Sequence, residues 1–364
     1  MKKVLYVATI DAHIKAFHIP YLKMLKNNGY EVHVATNGDE KIPYCDVKHQ
    51  ICIERSPLKL KNLKAIKQLK EIIEKEKFDI IHCHTPMGSV VARIAAKLAK
   101  KINVKVFYTS HGFHFYNGAP LKNWFFFFPI EWYLSKYTDT LITINTEDFE
   151  IAKKYFSKRC LDIKYIPGIG IEPKKFDFDI TNKEKEKLRN SIGLKKEDYV
   201  LIFPARLDRN KNQILLIETM RKLIKVDKNI HLLLPGKDEL NGFYQKITNN
   251  YGLNNNIHFL GFRDDIPKLL KISNLALSSS IREGFGINLI EALYCDIPVI
   301  ATNNRGHRDI IKNGENGFLV NASLEEFYKK ILEVRNYKFT ALKDSTAPFL
   351  LKNVEKIMEN IYFS

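Results

Sequence analysis

The sequence predicts an α/β protein built from two doubly wound domains, each a parallel β-sheet with crossover helices. Short apolar, β-branched runs alternate with helical patterns from the first residue onward, which indicates parallel strands joined by helices. The alternation stops at a polar stretch, residues 174–197, and then begins again. A chain of 364 residues also exceeds what one hydrophobic core usually organises, so two domains are expected.

The apolar runs define the predicted strands in order. The first domain has strands at 4–9, 32–35, 80–82, 104–109 and 141–144, and the second has strands at 199–203, 231–234, 257–260, 275–278 and 299–301. The segment 167–173 contains proline and glycine and marks the connection, so the domains are predicted to span 1–175 and 176–345. A last helical pattern, 346–364, packs either on the first domain or locally. Because ligands of such sheets bind beyond the carboxyl ends of the strands, we expect the active site in a cleft between the facing domains.

The composition of the chain indicates where in the cell it is found and what kind of partner it binds. The longest apolar run, 124–130, is far shorter than the roughly 20 residues of a membrane-spanning helix, and no charged-then-apolar signal opens the chain, so we expect a cytoplasmic protein. The net charge of +17 favours an anionic partner, and the basic surplus is concentrated before residue 170.

Cysteine and histidine usage predicts no metal site. The five cysteines, at 45, 52, 83, 160 and 295, form no C-x-x-C pair and are interpreted as free thiols. His82, Cys83 and His84 resemble a ligand cluster, but residues of a strand alternate between opposite faces, which argues against a shared metal.

A Gly-rich turn follows the predicted strand 275–278 and opens a helical pattern. Glu283 lies in this turn, and Glu291 lies two turns into the helix. Backbone N–H groups at Gly286, Ile287 and Asn288 would be free at the helix N-terminus, where they favour a phosphate or a sugar hydroxyl. Two glutamates at this spacing, taken alone, are more often a turn residue and a surface helix residue.

The spacing from Glu283 to Glu291 resembles the E-x7-E motif of retaining glycosyltransferases with the GT-B fold, the glycogen-synthase-like family four. Segment 204–212 resembles the part of that family in which an arginine and a following lysine, here Arg206 and Lys211, hold the donor diphosphate. Further segments resemble the turn next to the nucleobase, which includes Arg263, and the closing loops of the family: 260–263, 302–308 and 313–318.

The resemblance implies a retaining, metal-independent hexosyl- or N-acetylhexosaminyltransferase whose co-substrate is a nucleotide-sugar, expected to be UDP-linked, with no other cofactor. Arg206 and Lys211 would neutralise the departing diphosphate without a metal ion. Glu283 would position the donor sugar, and Glu291 would hold the ribose. The other implied donor contacts are Gly284, Phe285, Gly286, Ile287 and Asn288.

Histidines mark the N-terminal half. His111 follows a predicted strand, where a lone histidine is usually structural, but the resemblance implies that it lines the donor-sugar pocket. Many relatives carry a Gly-Gly pair in the first strand-to-helix turn, whereas residues 11–20 contain no glycine. This departure predicts that His13 or His18 contacts the acceptor through its side chain.

Segments 17–22, 81–88 and 111–116 resemble bacterial transferases of capsule, exopolysaccharide or other surface-glycan assembly, including lipopolysaccharide. The resemblance implies an acceptor glycan on undecaprenyl diphosphate and a peripheral position on the anionic inner face of the cell membrane. Segment 60–73 predicts an amphipathic helix with an apolar face and a basic face. The apolar face is formed by Leu63, Ile66, Leu69, Ile72 and Ile73, and the basic face by Lys64, Lys67 and Lys70. That face is either solvated or docks on anionic lipid.

Two alternatives accompany this prediction. A nucleotide-sugar 2-epimerase uses the same architecture and needs no acceptor. A nucleic-acid binder would fit the net charge, but the sequence has no zinc finger, evident helix-turn-helix or RNA-stacking signature, so no nucleic-acid partner is expected.

Overall fold

The computed structural model describes residues 1–99 and 103–363. The chain divides into two compact units. Unit 1 contains Met1–Ile169 and the chain from Val354 onward, and unit 2 contains Gly170–Asn353. The chain thus passes from unit 1 to unit 2 at Gly170. The sequence predicts this boundary near residue 175.

Unit 1 contains a sheet of seven parallel strands. The strands are β1 (Lys2–Ile10), β2 (Tyr30–Asn37), β3 (Val47–Gln50), β4 (Ile80–Cys83), β5 (Lys105–Ser110), β6 (Thr140–Thr143) and β7 (Asp162–Tyr165). Their order in the sheet is β3-β2-β1-β4-β5-β6-β7. The helices are α1 (Asp11–Phe17), α2 (Ile19–Asn27), α3 (Lys61–Glu76), α4 (Pro86–Leu98), α5 (Leu121–Ser135) and α6 (Thr146–Phe156).

Unit 2 contains a sheet of six parallel strands. These are β8 (Tyr199–Ile202), β9 (Ile230–Pro235), β10 (Ile257–Gly261), β11 (Leu275–Ser278), β12 (Val299–Thr302) and β13 (Gly317–Val320), in the order β10-β9-β8-β11-β12-β13. The helices are α7 (Asn182–Ser191), α8 (Gln213–Leu223), α9 (Phe243–Asn250), α10 (Ile266–Lys271), α11 (Ile287–Tyr294), α12 (Arg305–Arg308), α13 (Leu324–Val334) and α14 (Leu351–Phe363). Two 3-10 turns, Pro173–Lys175 and Asp344–Phe349, complete the unit. Only residues 351–353 of α14 belong to unit 2, and the rest of this helix, from Val354 onward, belongs to unit 1.

The predicted α/β class with two parallel sheets is confirmed, and all ten predicted strands are present. The sequence did not reveal β3, β7 and β13, each of which lies at the edge of its sheet. Edge strands are half-exposed, so the short runs that form β3 and β7 carry polar residues and lack the continuous apolar signal of a buried strand.

The strand order places a topological switch point in each sheet. The chain leaves β1 toward one edge and later returns to β4 on the other side; β8 and β11 have the same relation in unit 2. In open α/β sheets the loops after such strands diverge, and ligands bind in the crevice at the carboxyl edge. His13 and His18 follow β1, Arg206 and Lys211 follow β8, and Glu283 follows β11, whereas His111 follows the adjacent β5.

The predicted basic helix is present, but its buried face differs from the apolar face that the sequence predicts. In α3 the buried residues are Asn62, Ala65, Leu69 and Ile73, whereas Leu63, expected on the apolar face, is 65% exposed. The helix is oriented so that the small Ala65 packs against the core. Across residues 1–99 and 103–363, no helix has both the length and the apolar character needed to cross a membrane.

Candidate active site

Hydrogen bonds join the two loops at the switch point of unit 2. Asn210, in the loop after β8, donates its side-chain N–H to Arg282 O at 2.9 Å and accepts at its own carbonyl from Ile281 N at 2.8 Å. Ser279 Oγ donates to Lys211 O at 2.8 Å. These bonds join the Arg206–Lys211 loop to the Glu283 loop as one surface.

Lys211 and Glu283 form an ion pair on this surface. Lys211 Nζ lies 2.5 Å from Glu283 Oε2, and both side chains are less than one-fifth exposed. Burial by itself would raise the pKa of Glu283, but the charge and the hydrogen bond of the Lys211 ammonium outweigh it, so the pKa is lowered from its usual value. The sequence predicts roles for both residues, and the structure brings them together as a cation and a carboxylate in contact.

Arg206 is held apart from that pair by its own partners. Its guanidinium bonds to Glu239 at 3.0 and 3.1 Å and lies 3.2 Å from Asp208 Oδ2, and its side chain is 56% exposed. Asp208 also accepts from Lys211 N at 2.8 Å, so one carboxylate orients both cationic residues. Sequence reasoning missed Asp208 and Glu239, although Asp208 lies within the matching segment.

The turn before α11 depends on glycine. Gly286 has φ +105° and caps the helix, and a Cβ there would meet the His307 ring at 3.0 Å. His307 is fully buried, bonds to Thr302 O at 2.8 Å and to Ser278 Oγ at 3.2 Å, and has a pKa lowered to about 4 by burial. This neutral histidine, whose ring packs against the turn, was not predicted from the sequence.

The N-terminus of α11 offers hydrogen-bond donors. The first N–H groups of any helix lack intrahelical partners, and the macrodipole favours negative charge there. The buried Asn288 Nδ2 has no hydrogen-bond partner in the part of the chain that the structure describes. A buried donor without an acceptor is costly, so this end of α11 is suited to an anionic or hydroxyl-bearing ligand.

Glu291 lies on α11 without a partner for its carboxyl group among the described residues. Burial raises its pKa from the usual 4.5 to about 7, which the distant charge of Lys175 only partly offsets. Arg263, which is predicted to lie near a nucleobase, donates hydrogen bonds from two nitrogens to Asp265, at 2.7 and 2.5 Å.

Replacement of Glu291 by glutamine is expected to stabilise the protein at pH 8 but not at pH 5. A carboxyl group whose folded pKa lies above its unfolded pKa contributes stability below pH 4.5, and that contribution is lost as the pH rises through 7. Partial exposure reduces the effect to about 1 kcal/mol, or a shift of about 2–4 °C in melting temperature. Thermal unfolding at both pH values measures it, with the exposed Glu197→Gln as control; equal shifts at both pH values would contradict it.

Four histidines meet at the carboxyl edge of the first sheet. His13 lies on α1, His18 separates α1 from α2, His84 follows β4 and His111 follows β5; we call them the histidine cluster. His13 Nε2 and His18 Nε2 are 3.3 Å apart, the rings of His18 and His84 are 3.9 Å apart, and those of His13 and His111 are 4.7 Å apart. The structure thus brings together all three predicted histidines.

Burial holds the cluster neutral. It lowers the pKa of His13 to about 4 and lowers the pKa of His18, His84 and His111 well below the usual value, with mutual repulsion among the last three and their neighbours adding to the effect. His84 was not predicted as a member of this cluster, because the sequence shows it only beside His82 and Cys83, and these three residues do not form a shared metal site among the described residues. His82 and His84 are two residues apart, so their rings lie on the same side, 4.1 Å apart.

Both halves of the chain match known families. Residues 3–145 match the Glycosyl transferase 4-like family, and residues 184–338 match Glycosyl transferases group 1. The protein EpsD of Bacillus subtilis, named as a glycosyltransferase, is 45% identical over 88% of this chain and 83% of its own length. The UDP-Gal:alpha-D-GlcNAc-diphosphoundecaprenol alpha-1,3-galactosyltransferase of Escherichia coli is 28% identical over 77% of this chain and 72% of its own.

A solved structure matches the fold over the entire length. Anabaena HepE, in complex with UDP and glucose, aligns with a TM-score of 0.76 at 19% identity and covers 100% of both chains. Two parallel-sheet Rossmann-like units therefore form the GT-B fold. With a 45% identical relative across most of its length, the chain belongs to the group 1, family-four glycosyltransferases.

Proposed function

We propose that this glycosyltransferase moves a hexosyl or N-acetylhexosaminyl group, with retention, from a UDP-sugar to a glycan on undecaprenyl diphosphate, in the assembly of a capsular or extracellular polysaccharide. The observation that carries the proposal is the Lys211–Glu283 pair beside the N-terminus of α11. The Escherichia coli relative supports the donor and the acceptor, because its name states both UDP-Gal and diphosphoundecaprenol. The UDP-bound Anabaena structure is consistent with the donor class.

The proposed chemistry follows from how charge develops. As the bond between the anomeric carbon and the diphosphate breaks, negative charge grows on the leaving oxygen, and fixed cations lower that barrier. Lys211 and Arg206 supply them, so no metal ion is needed at the diphosphate. Asn288 and the α11 N–H groups donate to the phosphate or the sugar, and the Glu283 carboxylate accepts from sugar hydroxyls.

The remaining roles concern the nucleoside and the acceptor. Glu291 accepts hydrogen bonds from the ribose diol, and the histidine cluster lines the acceptor side, with His111 toward the donor sugar. Attack from the face that the diphosphate leaves retains the anomeric configuration, and the leaving phosphate takes the proton of the acceptor hydroxyl. No covalent enzyme intermediate is involved.

Purified protein incubated with a panel of UDP-sugars and undecaprenyl diphosphate-linked GlcNAc tests the proposal. We expect a single added sugar by mass spectrometry and an alpha linkage by NMR. Transfer of the opposite anomer would contradict retention, and transfer that needs a GDP- or TDP-sugar would contradict the donor class. Conversion of the nucleotide-sugar without acceptor would favour a 2-epimerase.

An exposed apolar helix supports docking on the membrane that carries such an acceptor. In α5, Trp124 and Phe128 pack on the core, but Leu121, Phe125 and Phe126 are 86%, 75% and 63% exposed. Large apolar side chains exposed side by side usually mark an interaction surface. At the C-terminal end of the helix, Lys136 Nζ lies 4.3 Å from the ring of the exposed Tyr133. A helix with exposed aromatic side chains and a cation at its end fits an anionic lipid interface.

The double replacement Phe125→Ser/Phe126→Ser is expected to lower binding to phosphatidylglycerol vesicles about tenfold, because two inserting side chains are lost.

The double replacement Lys64→Glu/Lys67→Glu, on the exposed face of α3, should weaken binding to phosphatidylglycerol but not to phosphatidylcholine. Vesicle sedimentation measures both, with Phe243→Ser, a half-exposed phenylalanine of unit 2, as control. Wild-type protein that ignores phosphatidylglycerol at low salt would contradict docking and leave the transferase proposal intact.

A further inference from the structure

The ring nitrogens of the histidine cluster converge on one point. One nitrogen from each of the four side chains lies within 4.8 Å of the nitrogens from the other three. His18 and His84 are buried, whereas His13 and His111 are partly exposed, so the cluster has an inner and an outer side. The four residues come from the segments after β1, β4 and β5, which are neighbours in the sheet.

Several of these nitrogens lack hydrogen bonds. Within residues 1–99 and 103–363, neither ring nitrogen of the buried His84 has a partner, and neither does His111 Nε2. The neighbouring His82, in contrast, bonds through one nitrogen to Tyr362 Oη and through the other to Thr109 Oγ1 at 2.7 Å. An unsatisfied buried polar group costs roughly 1–3 kcal/mol, so native proteins usually supply a water or an ion.

One pair of nitrogens in the cluster has the spacing expected of two ligands on one small cation. Zinc–nitrogen bonds of about 2.0–2.1 Å in tetrahedral geometry place two ligand nitrogens about 3.3–3.4 Å apart. The Nε2 atoms of His13 and His18 are 3.3 Å apart. Burial also keeps these imidazoles neutral, and a neutral imidazole is the form that binds a metal.

We propose that the histidine cluster binds one divalent transition-metal ion of the zinc class. Imidazole nitrogen suits Zn²⁺, Co²⁺ and Ni²⁺, whereas Mg²⁺ and Ca²⁺ need oxygen ligands, which these four side chains do not contain. The four histidines belong to unit 1, whereas Arg206, Lys211 and Glu283, which are proposed to hold the donor, belong to unit 2. Metal binding by the histidines therefore does not depend on the identity of the donor or the acceptor.

A second group of potential ligands in unit 1, formed by Glu31, His33 and Glu76, is already paired. Lys3 Nζ lies 2.9 Å from Glu76 and 3.5 Å from Glu31. The two nitrogens of His33 bond to Glu31 at 2.7 Å and to His49 at 2.9 Å. Among the described residues, this group has no buried side-chain nitrogen or oxygen without a hydrogen-bond partner, so it serves as the control.

Titration of the chelator-treated full-length protein with Co²⁺, followed by optical absorption, tests the proposal. We expect one Co²⁺ per chain, with the intense visible bands of a tetrahedral site, and their loss when Zn²⁺ is added. His84→Ala and His13→Ala should each weaken Co²⁺ binding by at least about 100-fold, because each removes a ligand. His49→Gln, next to the control group, should bind Co²⁺ like the wild type.

Absence of Co²⁺ binding by the wild-type protein would overturn the proposal, and so would binding that survives both alanine replacements. Circular dichroism checks that the variants fold. If His84→Ala does not fold, His13→Ala decides the question, because His13 is partly exposed and its truncation leaves little cavity. The readout is binding rather than transfer, so failure of the transferase proposal would be seen separately.

Discussion

Lys211→Ala is expected to lower kcat by about 10²–10³-fold and to destabilise unit 2 by about 2 kcal/mol. The loss of rate follows from the loss of a fixed cation where the diphosphate is proposed to depart. The loss of stability follows from the partner, because Glu283 is only 19% exposed and would keep its charge without the ammonium 2.5 Å away. The pKa of Glu283, now lowered, would then rise, since burial is the largest influence on it.

A paired replacement separates the two effects. Lys211→Met/Glu283→Gln removes both charges, so thermal stability should recover while kcat stays low. Lys222→Ala, which removes an exposed lysine paired with Glu325, should change neither quantity. Steady-state kinetics at saturating donor, with thermal unfolding of the same samples, measures both. Near-normal turnover of Lys211→Ala would show that the site assignment is wrong.

Arg206→Ala is expected to lower kcat/KM about 100-fold with almost no change in melting temperature. Its side chain is 56% exposed, and its partners Glu239 and Asp208 stay in contact with water when it is removed, so the stability change should remain within about 0.5 kcal/mol. Loss of activity without loss of stability distinguishes a substrate-binding residue from a structural one.

The control for Arg206 is Arg335→Ala, which removes another arginine of unit 2 from an ion pair with Asp227. It should retain transfer activity. Arg206→Lys should recover part of the rate, because a point charge remains but the two-nitrogen geometry is lost. If UDP binds Arg206→Ala and the wild type equally in calorimetry and the rates agree, Arg206 has no role at the diphosphate.

The N-terminal histidines show which features of the site a sequence pattern can predict and which it cannot. His111 could be placed after a strand because the apolar run before it is buried and continuous. His84 could not be recognised from the sequence, since its place in the cluster depends on three other side chains that are distant in sequence. In α3, helical spacing identified the helix, but the depth of Leu63 depended on neighbours that the sequence does not name.

The periodicity of the sequence was sufficient to predict the two parallel sheets, because buried strands and amphipathic helices carry strong periodic signals, and the sequence motifs indicated which loops hold the candidate donor residues. The pairing of those residues depends on the tertiary structure. Lys211 and Glu283 lie 72 residues apart, and they meet because β8 and β11 are neighbours at the switch point. The same holds for the histidine cluster, assembled from three strand ends. Local sequence sets which strand a residue follows, whereas strand order, set by packing of the entire sheet, decides which residues become neighbours.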